Sequence, residues 1–196
     1  MKEKMKFDGK KGIIIALILV ILVVGYYYYL SHRNVEPEEV VEVTEVQNLL
    51  LRDLDRNYPP TPREVVKYYF EITKCLYNEK LPEEDLEALA VKLELIFDDD
   101  LAAFQIREKY LEDLKKEVLA FQNGNLILNY STSTSTDVDY FEQDGRECAR
   151  LYGTFYLKVG KNMRSLEEVF ILRKDEQGHW KIYGWEPLKT NSTQEK

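Results

Sequence analysis

Three kinds of hydrophobic pattern follow one another along the chain. The first is an unbroken apolar run at residues 13–24, which four tyrosines and Leu30 extend without any charged residue. Nineteen residues, from Gly12 to Leu30, rise about 28 Å as a helix, close to the ~30 Å hydrocarbon core of a bilayer. This stretch therefore predicts a transmembrane helix at residues 12–30.

Positive charge precedes this predicted span and negative charge follows it. Residues 1–11 contain five lysines and two acids, whereas glutamates dominate residues 36–45. The positive-inside rule then predicts a cytoplasmic tail at residues 1–11 and an extracytoplasmic location for residues 31–196. A cleaved signal peptide is the alternative. Because no A-x-A site is present, an uncleaved anchor is favoured.

The second pattern has the helical period and begins in a predicted stalk, residues 31–60. Val43, Val46, Leu50 and Leu54 recur at helical spacing, so the stalk is predicted to be partly helical. Two prolines then end it.

A strong helix start follows at Thr61-Pro62-Arg63-Glu64. Thr61 is suited to cap the helix, Pro62 to its first turn, and Glu64 to complete a capping box. Further helices are predicted from Pro82 and from Leu101, separated by an aspartate run that serves as helix punctuation.

The third pattern, from Asn125 onwards, has the strand period of two. A long strand, LILNYSTSTSTDV, is followed by alternating segments that turn at Asp144-Gly145, Gly160 and Gly178. Helices followed by strands joined through tight turns indicate an α+β fold with an antiparallel sheet. We expect one extracytoplasmic domain at residues 61–188 and a disordered polar tail at residues 189–196.

Charge and composition exclude several function classes. The chain carries −8, and residues 31–196 retain 22 basic and 33 acidic residues, a balance of −11. This acidity argues against nucleic-acid binding. No catalytic, cofactor or metal motif is present, and two distant histidines with two distant cysteines do not form a zinc site. The cysteines, Cys75 and Cys148, are either a disulfide or separate buried thiols, and the second interpretation is favoured.

Two segments carry a resemblance to a known fold family. The segment TPREVVKYYFEI and the ending VFILRKDEQGHWKIYGWEP resemble the first helix and last hairpin of the nuclear transport factor 2-like fold. The resemblance covers roughly residues 60–188 and implies an α+β cone, in which helices pack on a curved antiparallel sheet behind the transmembrane helix. The whole chain also resembles uncharacterised single-pass proteins of Gram-positive bacteria.

A cone implies an interior pocket. Its expected aromatic lining residues are Tyr69, Phe70, Phe104, Tyr130, Phe155 and Trp180. Enzymes of this family, such as ketosteroid isomerases and polyketide cyclases, place an acid or base with a tyrosine in the cone, and the resemblance suggests Asp139 or Glu147 near Tyr130. No motif selects either one, and an aromatic stripe is more often core.

The strand alternation also predicts an exposed sheet face bearing Tyr152, Thr154 and Tyr156. The chain resembles, in its layout, membrane scaffold subunits of bacterial conjugation and secretion machines. We therefore expect a non-enzymatic, membrane-anchored interaction or scaffold domain of a cell-envelope assembly that binds a protein partner or itself. A small-ligand carrier and an isomerase- or cyclase-like enzyme are the alternatives.

Overall fold

The computed structural model describes residues 22–28, 44–103 and 107–188. It separates the chain into two compact units, Met1–Glu42 and Val43–Lys196. In the first unit, residues 22–28 are helical with exposed side chains. The rest of the predicted span at 12–30, the predicted tails at 1–11 and 189–196, and residues 31–43 of the predicted stalk lie outside the described residues. Within the described ranges, no helix has the length and apolarity needed to cross a membrane.

The described part of the second unit begins with five helices. They are α1 (Glu45–Leu51), α2 (Pro62–Asn78), α3 (Glu83–Glu94), α4 (Asp99–Ala103) and α5 (Arg107–Phe121).

The caps of α1 and α2 show why these helices begin where they do. The Thr61 hydroxyl accepts the backbone N–H of Glu64 at 3.2 Å, which confirms the predicted start of α2. A reciprocal capping box forms at Thr44, whose side chain and backbone both bond to Gln47. The sequence reasoning had not recognised this box. Both caps satisfy backbone donors that the first helical turn leaves without partners.

Five antiparallel strands follow the helices. They are β1 (Asn125–Thr132), β2 (Asp139–Gln143), β3 (Arg146–Val159), β4 (Asn162–Lys174) and β5 (Trp180–Pro187). The sheet order is β1-β3-β4-β5, and β2 pairs with the beginning of β3 on the same edge that β1 occupies further along. The predicted α+β class with an antiparallel sheet is confirmed.

The long strand predicted from Leu126 to Val138 is wrong in one respect, because β1 ends at Thr132 and a 3-10 helix at Ser135–Asp137 follows before β2. The hydroxyl-rich segment bonds locally instead of continuing the ladder. The Thr134 hydroxyl donates to the Asp137 carboxylate at 2.5 Å. Such local bonds compete with strand pairing. The β-branched composition of the segment favours a strand and does not indicate these bonds.

Helix α2 packs its apolar side against one face of the sheet, here called the inner face. The fully buried ring of Phe70 meets Phe155 at 4.4 Å and Phe170 at 5.5 Å between ring centroids. Gly153 on β3 makes this approach feasible, because a Cβ atom there would lie 2.4 Å from the Phe70 ring. The glycine therefore sets how closely α2 sits on the sheet.

Residues 44–60, which the sequence assigns to the stalk, lie within the second compact unit. Leu49 and Leu54 are buried in its hydrophobic core. The Tyr58 hydroxyl donates to the Trp180 carbonyl at 2.9 Å. This segment is therefore bound to the domain by both apolar and polar contacts.

A buried ion pair connects the start of α4 to β4. The Asp98 carboxylate accepts two hydrogen bonds from the Arg173 guanidinium and also caps the N–H of Asp100 at 3.0 Å. Asp98 is 5% exposed. The interpretation of the aspartate run as helix punctuation is thus confirmed, with Arg173 as a partner that the sequence did not indicate.

Candidate functional site

A cavity of about 360 Å³ lies between α2, α5 and the inner face of the sheet. Its described walls also include Leu93 of α3, and apolar side chains make up most of them. The aromatic members are Tyr69, Tyr77, Phe97, Tyr110, Phe121, Phe155 and Trp185. A concave, mostly apolar cavity with few polar groups has the usual character of a small-molecule site.

Among the described lining residues, Glu168 is a buried acid. It lies on β4 in register with Gly153, and its side chain shares the inner face with those of Leu166 and Phe170. Only 7% of its surface is exposed, and its Oε2 atom is buried without a hydrogen-bond partner among the residues that the structure describes. Burial raises the pKa of Glu168 from its ordinary 4.5 to about 7 because the ionised form loses its hydration.

Tyrosines line the same cavity as this carboxyl group. The pKa of Tyr69 is raised well above its usual value, first by burial and then by the charge of Glu168, while a hydrogen bond from Thr73 opposes the rise. Burial is also the largest cause of the raised pKa of Tyr77, and it raises the pKa of Tyr110 to about 12. These phenols are therefore neutral at physiological pH, when they can donate hydrogen bonds.

The predicted lining residues fall into different environments. Tyr69 and Phe155 line the Glu168 cavity. Phe70 is fully buried in the core, and Trp180 is buried beside Tyr140.

The other two predicted lining residues are Tyr130 and Phe104. Tyr130 lines a separate pocket with Glu71, to whose carboxylate its hydroxyl donates at 3.3 Å. Phe104 lies outside the described residues.

The two acids suggested as bases lie at the surface. Asp139 pairs with Arg150 at 3.5 Å, and Glu147 pairs with Lys174 at 2.7 Å. Both carboxylates are mostly exposed, and neither lines the Glu168 cavity.

The sequence reasoning missed Glu168, although a usable signal was present. The β4 alternation places Leu166, Phe170 and Leu172 on the inner face, and Glu168 has the same parity. An acid at a core position of a strand is costly unless it has a partner or a function.

The predicted exposed tyrosines do share the opposite, outer face of the sheet. Tyr152 and Tyr156 are 42% and 43% exposed, and Thr154 lies half-buried between them. Tyr152 lies in register with Val169 on β4. The Tyr156 hydroxyl shares a 3.3 Å hydrogen bond with the Ser131 hydroxyl on β1. This face is amphipathic, as contact surfaces between proteins often are.

No group of three or more His, Cys, Asp or Glu residues suited to a metal ion occurs within the described ranges. The cysteines, Cys75 on α2 and Cys148 on β3, are free and buried. Burial raises the pKa of Cys75 to about 11.

The fold and cavity define an α+β domain with an aromatic pocket built around one buried carboxyl group. The chain belongs to the family described as a domain of unknown function, DUF6715, whose profile matches residues 1–185. That match covers both compact units as far as β5. No curated protein matches the sequence.

Proposed function

We propose that this chain is a membrane-anchored, extracytoplasmic binding domain that holds a small ligand in the Glu168 cavity. The observation that supports this most is the Glu168 Oε2 atom, which is buried in a mostly apolar cavity without a hydrogen-bond partner among the described residues. Leaving a buried polar atom unpaired costs about 1–3 kcal/mol. A ligand that pairs with this atom would remove that cost.

Binding is better supported than catalysis. Tyr69 and Tyr77 of α2 line the cavity with Glu168, and burial raises the pKa of each phenol well above the physiological range. A phenol in that state orients a ligand by donating a hydrogen bond, but does not give up its proton readily at neutral pH. The non-enzymatic class expected from the sequence is kept as part of this proposal.

The finer fold proposed is the nuclear transport factor 2-like cone. Helices cover one face of the antiparallel sheet and leave a cavity between the two layers. Irregular register near Ile127–Asn129 on β1 and Ile171–Leu172 on β4 supports this proposal, because β-bulges bend strands and increase their twist.

Co-purification tests ligand binding. The full-length protein would be purified in a mild detergent beside Glu168→Leu and a matched Glu167→Leu variant, which alters the exposed neighbour on the same strand. We expect mass spectrometry of the denatured samples to show a low-mass compound with wild type and Glu167→Leu that is depleted at least about tenfold in Glu168→Leu. Equal retention in all three proteins, or no retained compound in any of them, would count against the proposal.

The proposed topology rests on the lysine-rich tail and the apolar run. Cys75 and Cys148 are buried, so a cysteine introduced at the exposed Lys161 turn is a selective reporter. After wall removal, an impermeant maleimide is expected to label Lys161→Cys in intact cells and Lys10→Cys only after lysis. Labelling of Lys161→Cys only after lysis would reject this orientation.

A second candidate function is protein binding through the outer sheet face. The exposure of Tyr152 and Tyr156 on the same sheet face favours it, since tyrosines are enriched in protein interfaces. Photocrosslinkers at these two positions should give a discrete adduct with a partner or second copy, whereas one at the exposed Lys116 of α5 should not. Identical adducts from all three positions, or none, would oppose this function.

A further inference from the structure

We propose that the Glu168 cavity takes a small organic cation, an ammonium group bearing apolar substituents. This inference rests on the proposed ligand-binding function and adds the chemical class of the ligand. It is carried by the cavity lining, which combines a buried unpaired carboxylate oxygen with a set of aromatic rings.

The charges around the cavity favour a cation. Its described lining includes two carboxyl groups, Glu168 inside and the exposed Glu117 on α5, but no lysine, arginine or histidine. An anionic ligand would meet two acids without a positive partner. A wholly apolar ligand would leave the Glu168 Oε2 atom unpaired, with the cost that this entails. An ammonium ion supplies the positive charge that pairs with the carboxylate, and any N–H group that it carries also supplies a hydrogen-bond donor.

Aromatic rings near Glu168 provide the second feature. Trp185 contacts Tyr69 at 5.3 Å and Phe97 at 5.7 Å between ring centroids, so three lining rings form a continuous group. The charge of Glu168 acts on the hydroxyl of Tyr69, one of these three. Aromatic rings attract organic cations through their quadrupoles, and they also cover apolar substituents. Together with a carboxylate, such rings suit an alkylated ammonium ion.

Proton linkage gives this inference a distinctive consequence. The titratable groups around Glu168 in the cavity are Tyr69 and Tyr77 from α2, and Tyr110 and Glu117 from α5. The described lining residues from β1, β3, β5 and α3 are apolar or aromatic without a titratable group. A bound cation favours the ionised form of Glu168, so binding should release a proton and strengthen as the pH rises through about 7.

Choline and its uncharged analogue 3,3-dimethylbutan-1-ol form a matched probe pair. The two molecules have nearly the same shape and differ in the positive charge. Isothermal titration would use the full-length protein in an uncharged maltoside detergent. We expect choline to bind at least about tenfold more tightly than the alcohol at pH 8, and its affinity to fall several-fold at pH 6.

Variants separate the charge of Glu168 from general effects. Glu168→Gln should weaken choline binding at least about tenfold and remove most of its pH dependence, with little change for the alcohol. Glu167→Gln removes the same charge from the exposed face of β4 and should leave both affinities unchanged. A circular-dichroism spectrum like that of wild type would show that Glu168→Gln is folded.

The outcomes distinguish this inference from the function on which it rests. Equal or tighter binding of the alcohol would overturn the cation inference and leave a ligand-binding cavity. Choline affinity that is unchanged in Glu168→Gln would overturn the role of this carboxylate. No binding of either probe at 10 mM would overturn the cation inference, while a compound that co-purifies in a Glu168-dependent manner would still support the proposed function.

Discussion

The pH dependence of stability offers a direct test of the environment of Glu168. Its pKa is about 7 in the folded protein and about 4.5 in an exposed chain. The folded state therefore binds this proton more tightly than the unfolded state does. The stabilising effect is fully present below pH 4.5 and is lost as the pH rises through 7. The perturbation that isolates it is Glu168→Gln, which removes the titration and keeps the side-chain shape.

The magnitude follows from the difference between the two pKa values. At about 1.4 kcal/mol per pKa unit, the stabilisation that protonated Glu168 gives the folded state amounts to about 3 kcal/mol. The free energy of unfolding of Glu168→Gln should therefore increase relative to wild type by up to about 3 kcal/mol between pH 4.5 and pH 8. Any constant offset, from the buried amide that replaces the acid, does not affect this pH-dependent part.

Urea unfolding of the full-length protein in detergent, followed by tryptophan fluorescence, would measure this difference. Trp185 lines the cavity and Trp180 is buried, so unfolding should change the emission of both. The exposed Glu167→Gln variant is the control, and its stability relative to wild type should be nearly independent of pH. If Glu168→Gln and wild type differ by the same amount at pH 5 and pH 8, Glu168 does not have a raised pKa and the reasoning fails.

Two further predictions concern the core and the buried ion pair. Gly153→Ala places a Cβ atom 2.4 Å from the fully buried Phe70 ring. The overpacking should lower the free energy of unfolding by about 1–3 kcal/mol. In the control Gly184→Ala nothing lies within 4 Å of the new Cβ, so the loss should be less than about 1 kcal/mol. Equal melting temperatures for the two variants would contradict the close packing. Arg173→Met leaves the Asp98 carboxylate buried without its partner and should cost about 3–5 kcal/mol. A chemical unfolding curve that matches wild type at pH 7 would show that this pair contributes little.

Local patterns in the sequence were sufficient for the fold class. The cap at Thr61, the apolar stripe of α2, the turn at Gly178 and the alternation along β3 depend on near neighbours in the chain. Physical rules for short segments therefore predicted them. The boundary at Ser135–Asp137 was missed because hydroxyl side chains there bond to groups within their own segment, which propensity alone does not show.

The site depended on contacts between distant segments, and for that reason it was predicted only in part. The aromatic residues expected in the pocket were correct in type, yet of those that the structure describes only Tyr69 and Phe155 line the cavity. Phe70 fills the core instead, because Gly153 on a strand far away in sequence permits its ring to approach the sheet. Asp139 and Glu147 were expected near Tyr130, but each carboxylate forms an ion pair with a basic side chain at the surface.

The sequence by itself determined the order of the elements, the antiparallel sheet and which strand positions share a face, because periodicity and turn chemistry act over a few residues. It also determined the apolar run at residues 12–30 on which the proposed anchor rests. Only the tertiary structure decided that Glu168 would be buried without a partner. Burial and pKa depend on what packs against a side chain, and the groups around Glu168 come from α2, α5 and strands far apart in the chain.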